Sequence, residues 1–265
     1  MNTYALTLSY EGLDFSGFAR QKDDHITTVQ GTLEQALATV LRLDTLPQTI
    51  CAGRTDAGVH ALSQVVSFEL PGPGLDTTQC GQIVRSLNAL TPASMSVRDL
   101  HLACGGFSAR FDAISREYRY YIFNEPYPPT FAGGFAWHVP QKLNLDALRY
   151  AADYLLGEHD FRSFCTSSSA PAEKNTVREI TTIEVLEHSF LGEQLITIRI
   201  VGNAFLHSMV RIIVGTLCEV AQGKRTPDDV LAILAAKDRS LAGQTAPAQG
   251  LIFHRVEYPA ECFIV

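Results

Sequence analysis

Two periodicities take turns along this chain, and their alternation limits the fold more than any single motif does. Residues 3–10, TYALTLSY, alternate in character and are rich in β-formers, which predicts a strand. In TTVQGTLEQALATVLRL the apolar Val29, Leu33, Leu37, Val40 and Leu41 recur at helical spacing, with Thr27 and Gln30 placed as a capping box. A short strand near Gln48–Ala52 and a longer one at LSQVVSFEL follow. PGPGLDTTQ then marks a turn before a helix over Thr78–Leu90, and MSVRDLHL reads as a further strand. Strand, helix, strand, helix, strand predicts a half built on a sheet.

The second half repeats the pattern. SREYRYYIFN predicts a strand, LDALRYAADYLLG a helix, and REITTIEVLE with QLITIRIVG two strands joined as a hairpin. FLHSMVRIIVGTLCEVAQG predicts a long apolar helix, PDDVLAILAAK a shorter one opened by Pro227, and GLIFHRVEY a closing strand. The expectation is an α+β (mixed α/β) chain of two related sheet-and-helix halves, residues 1–105 and 106–265, divided near Gly105 and Gly106. Its sheet is expected to be largely antiparallel, with an active-site cleft between the halves. The small, polar TSSSAPAEK from Thr166 to Lys174 predicts a mobile surface loop.

Composition excludes several classes. No apolar run reaches the ~18 residues of a membrane span, and MNTYALTLSYEG lacks the basic and apolar regions of a signal peptide, so the cytosol is expected. The six cysteines lie far apart, without a CxxC pair or a Cys/His cluster, which predicts free thiols and no metal. A net charge of −7 is the wrong sign for a nucleic-acid binder on average, yet 21 basic residues suffice to make one basic face. No phosphate-cradling glycine loop and no G-x-S-x-G is present. Any chemistry falls to a carboxylate, an arginine and aromatics, without a cofactor.

Three stretches carry candidate chemistry. CAGRTDAGVHA, residues 51–61, sets Arg54, Thr55, Asp56 and His60 between Gly53 and Gly58, a tight loop whose polar side chains are either displayed or spent on its own backbone. In HSMVRIIVG, Arg211 lies among apolar neighbours. It either pairs with a carboxylate or shares a wet stripe with His207 and Cys218. In SREYRYYIFN a period of two puts Arg116, Tyr118, Tyr120 and Ile122 on one face and Glu117, Arg119 and Tyr121 on the other. The first face suits stacking a base and holding a phosphate, or filling a core. Asn88 and Asn203, near element ends, read as caps or turns.

YEGLDFSGFARQ, TVQGTLEQAL, CAGRTDAGVHA, SLNAL, FSARFDAISREYRYYI, GEHDFRSF, NAFLHSMVRIIVGTL and APAQGLIFHRVEY, in that order, resemble the tRNA pseudouridine synthase A family over nearly the whole chain. The resemblance implies conversion of uridine to pseudouridine at positions 38, 39 and 40 of the tRNA anticodon stem-loop, by a homodimer without cofactor. It implies Asp56 as nucleophile, Tyr118 against a flipped-out target base, Arg211 as the cation paired with Asp56, and Leu251 near the base. Arg54 would contact the RNA or help eject the nucleotide. Arg20, Arg54, Arg110, Arg116 and Arg119 are the expected basic contributors, with Arg110 and Arg116 binding substrate. Ala19 and Ser108 depart from the family's usual GF-Gln and FHARF patterns and bear on RNA contacts. Two other readings stand beside this one: an RNA binder without chemistry, and a glycosidic hydrolase, which ordinarily needs a second flanking carboxylate.

Overall fold

The computed structural model describes residues 1–23, 25–166 and 175–263. Two compact units emerge, Met1–Ile114 with Phe253–Val265, and Ser115–Ile252. Against the expected division near Gly105 and Gly106, the chain changes unit at Ser115 and returns at Phe253.

In the first unit β1 (Asn2–Tyr10), α1 (Val29–Leu41), β2 (Ile50–Cys51), β3 (His60–Leu70), α2 (Thr77–Leu90) and β4 (Met95–Leu102) follow in order. β1 runs antiparallel between β4 and β3, so that Leu6 faces Leu100 on one side and Val66 on the other. Tyr4, Leu6, Leu8, Leu33, Leu37 and Val66, from β1, α1 and β3, are fully buried and belong to the apolar core. α1 begins one residue later than the capping box expected at Thr27 and Gln30. Thr28 is the N-cap, its Oγ1 accepting from the Gly31 N–H at 3.2 Å. The position three residues on is then Gly31, which has no side chain to complete a box. Gln30 instead accepts from the Arg20 N–H and donates to Glu34. At α2 the box does form, between Asp76 and Gln79. Asn88, expected as a cap or turn, instead ties α2 to β4 through two hydrogen bonds of 2.8 Å with the Val97 backbone.

The second unit holds β5 (Ser115–Phe123), β6 (Trp137–His138), α3 (Leu145–Asp153), β7 (Gly157–Asp160), β8 (Val177–Phe190), β9 (Glu193–Gly202), α4 (Met209–Ala221) and α5 (Asp229–Ala236). β5, β9, β8 and β7 form an antiparallel sheet in that order, with β6 pairing in parallel on β5. The expected hairpin is β8–β9, turned by Leu191 (φ 49°) and Gly192 (φ 85°), a pair of positive φ angles that matches the twist of antiparallel strands. α4 starts at Met209 rather than Phe205 because Ser208 is left-handed (φ 58°), and Gly215 lets the Gln244 carbonyl sit where a Cβ would be. β10 (Leu251–Glu257) closes the chain; its residues from Phe253 on belong to the first unit. The architecture is thus mixed α/β with a largely antiparallel sheet. β6 and β7, of two and four residues, have no counterpart among the expected strands. The loop expected from Thr166 to Lys174 lies, past Thr166, outside the described residues. No helix among the described residues is long and apolar enough to cross a membrane.

Candidate active site

In the first unit, the glycine loop hangs from paired backbone at its start. Cys51 faces Val66 across β2 and β3, and the Ala52 N–H donates to the Val65 carbonyl at 2.9 Å. Beyond that point side chains take over. Gln64, fully buried, donates to the Gly53 carbonyl at 2.7 Å, and the Tyr10 hydroxyl shares a 2.7 Å hydrogen bond with Thr55 Oγ1. The Thr55 carbonyl accepts from the Phe18 N–H at 3.0 Å, and the Asp56 carbonyl from the Val59 N–H at 3.1 Å. Gly12 packs so closely on the Val59 backbone that a Cβ would lie 2.1 Å from its carbonyl oxygen, and Gly58 supplies the positive φ of 79° that turns the loop back.

This arrangement corrects the idea that the loop displays all its polar side chains. Thr55 and His60 are buried; His60 Nδ1 accepts from the Gly12 N–H at 3.2 Å. Asp56 is half-buried and Arg54 exposed, so these two are what the loop presents. Burial pushes the Cys51 thiol up to about 11, against the pull of Arg54 and Arg110. Arg110 is exposed at the end of this unit's chain segment, and Arg20, also exposed, lies 3.6 Å from the buried Glu34 carboxylate.

In the second unit, Tyr118 on β5 is 7% exposed, lies opposite Ile200 on β9 and meets the Phe205 ring edge-on at 5.0 Å. Arg116 is buried too, its Nη1 donating to the Asn203 carbonyl at 2.6 Å. Asn203 also exchanges backbone and side-chain bonds with Glu179, linking the end of β9 to β8 where a cap or turn was expected. Tyr120 is wholly buried, its hydroxyl donating to the Pro247 carbonyl at 2.8 Å and its ring filling the space a Gly250 side chain would need. On the opposite face Glu117 pairs with Arg119 at 2.7 Å and Arg199 at 3.2 Å. Burial raises the Glu117 pKa, but its bonds to Arg199 and Arg119 outweigh this and hold it below the usual carboxylate value.

Arg211 is half-buried on α4. Its Nε donates to the Ala246 carbonyl at 2.8 Å, while the Ala246 N–H donates to the Arg211 carbonyl at 3.1 Å. The stretch leading into β10 is thereby fastened to α4, and Leu251, the strand's first residue, is 6% exposed. The suggested wet stripe does not form as drawn. Cys218 is buried, with its thiol pushed up to about 12 by burial, and His207 lies before α4, bonded to Thr166 Oγ1 at 2.8 Å. Tyr10, Gln64, Phe205 and Ala246 all position candidate residues, and sequence reasoning missed them. Their partners are far along the chain or are backbone carbonyls, which leave no local pattern. Among the described residues, no group of three His, Cys, Asp or Glu side chains is placed to hold a metal ion.

A family model described as tRNA pseudouridine synthase matches residues 151–259. The chain is 41% identical over 255 residues to the tRNA pseudouridine synthase A of Bacillus velezensis, covering 95% of this chain and 97% of that one. It is 43% identical over 259 residues to the tRNA pseudouridine synthase A of Brevibacillus brevis, covering 97% and 100%. A chain of a solved Cbf5-Nop10-Gar1 complex is similar at 15% identity and a TM-score of 0.36, over 81% of this chain and 45% of that one, a likeness too slight to carry an argument.

Proposed function

The chain belongs to the tRNA pseudouridine synthase A family, and from that premise we propose that it isomerises uridine at positions 38, 39 and 40 of the tRNA anticodon stem-loop with Asp56 as nucleophile. It is an isomerase, a tRNA pseudouridine synthase. The reaction breaks the N1–C1′ bond, turns the uracil and joins C5 to C1′; the proton lost from C5 is matched by one taken up at N1. Atoms are conserved, and one ionised carboxylate suffices, either adding covalently to sugar or base or supporting an oxocarbenium-like species.

One observation carries this reading: Asp56 is presented by a loop whose backbone is fixed on both sides of it, while its polar neighbours Thr55 and His60 are turned inward. Preorganisation of that kind is what a reacting carboxylate needs. In the proposal Arg211 acts as the cation that keeps Asp56 ionised in a dry site, a guanidinium nearby favouring the charged carboxylate. Tyr118 offers its ring to the target base once that base has left the stem, Leu251 packs near it, and Arg54 contacts the RNA or helps to eject the nucleotide. Arg110 and Arg116 belong to the substrate-binding set, and two copies of the chain share one tRNA.

The test compares Asp56→Ala and Asp56→Asn with the wild type on an unmodified tRNA transcript, scoring pseudouridine and tRNA binding separately. Both variants are expected to retain binding within a few-fold and to form no pseudouridine. Pseudouridine at the wild-type rate from Asp56→Ala would remove Asp56 from the chemical step.

A further inference from the structure

Phe111 is 76% exposed on a segment that is otherwise firmly held. Phe107 is buried, its ring edge-on to Tyr258 at 5.1 Å and tilted against Phe263 at 5.6 Å. Ala109 is fully buried, its N–H donating to Ser67 Oγ at 3.0 Å and its carbonyl accepting from the Tyr258 hydroxyl at 2.6 Å. Asp112 Oδ2 accepts from the Ser108 N–H at 2.7 Å, and the Ile114 N–H donates to the Glu257 carbonyl at 2.8 Å. A single exposed apolar side chain is ordinary. This one is an aromatic ring projected from a pinned turn, with the exposed Arg110 guanidinium 5.3 Å from the ring centroid.

A largely exposed ring with a cation held over it, on backbone already ordered, offers the two elements that single-stranded nucleic acid recognises: a face for a base and a charge for its phosphate. We propose that Phe111 stacks on an unpaired base of the RNA substrate, with Arg110 on the adjoining phosphate. Paired bases inside a stem have both faces covered by their neighbours, so the contact belongs to the loop or to the end of the stem. The pinned turn limits the ordering cost of binding, which favours a stacking contact over a mobile one. The proposal rests on the tRNA pseudouridine synthase reading and adds to it a residue and the kind of nucleotide it meets.

The experiment measures tRNA affinity at several salt concentrations, pseudouridine formation and sedimentation for wild type, Phe111→Ala, Phe111→Leu, Phe111→Trp and Arg110→Ala. Because the ring is exposed, the variants are expected to fold as the wild type does. Phe111→Ala is expected to weaken binding by about 5- to 150-fold, the range for one lost base stack, with the salt dependence unchanged. Phe111→Trp restores affinity and Phe111→Leu does not, whereas Arg110→Ala lowers the salt slope by about one. With Trp137 the chain's one tryptophan, Phe111→Trp also reports stacking through its fluorescence. The proposal falls if Phe111→Ala binds like the wild type, if Leu serves as well as Trp, or if Phe111→Ala changes self-association instead of RNA affinity. A wild type that binds tRNA and makes no pseudouridine would strike the parent reading, while an active wild type matched in affinity by Phe111→Ala would strike this inference alone.

Discussion

Tyr10 shows how far the position of Asp56 is decided elsewhere in the chain. Its hydroxyl lies within hydrogen-bond reach of both Thr55 Oγ1 and Gln64 Nε2, and burial raises its pKa well above the ordinary phenol value, so it stays a neutral partner at working pH. Tyr10→Phe keeps the ring and removes that partner. The expected cost is about 1–3 kcal/mol, the penalty for stranding a buried polar group, together with slower pseudouridine formation at saturating tRNA. Urea unfolding and single-turnover kinetics check both halves; an unchanged rate would mean that the hydroxyl holds the fold and not Asp56. Arg54 and Asp56 were legible in the sequence because glycines at Gly53 and Gly58 punctuate them. Tyr10 and Gln64 were not, since their bonds to the loop span 45 and 11 residues and follow no period.

At the scale of elements, the periodic patterns located every long strand and helix, and the ends were set by side-chain chemistry the patterns do not contain. Thr27 and Thr28 stand side by side, and only the second caps α1. Thr28→Ala is therefore expected to cost about 0.5–2 kcal/mol, whereas the exposed Thr27→Ala stays within about 0.5 kcal/mol of the wild type. The midpoints of two urea titrations decide it, and equal losses would return the cap to Thr27. α4 teaches the same lesson in reverse. Its apolar run extends back to Phe205, but the left-handed Ser208 stops the helix at Met209 and frees Phe205 to meet Tyr118. An arginine amid apolar neighbours was expected to need a carboxylate. The hydrogen bond Arg211 makes to the Ala246 carbonyl is of a kind that residue type alone does not announce.

For the whole molecule, alternating elements gave the mixed α/β class, and eight motifs in order gave the family, because each describes a local stretch. The return of the last strand to the first unit was not legible, since strand pairing between distant residues depends on packing that no window of sequence contains. The net charge of −7 decided nothing about RNA, being an average over a surface that carries Arg54 and Arg110 exposed in one unit. The central claim is that the chain rearranges a nucleoside without adding or removing atoms. The most direct measurement is to incubate the wild type with a tRNA transcript carrying uridines at positions 38–40, determine the intact RNA mass, and digest it to nucleosides. Pseudouridine at those positions, with the RNA mass unchanged and no free uracil, is the predicted result. Free uracil and a lighter RNA would mean glycosidic hydrolysis and would contradict the account.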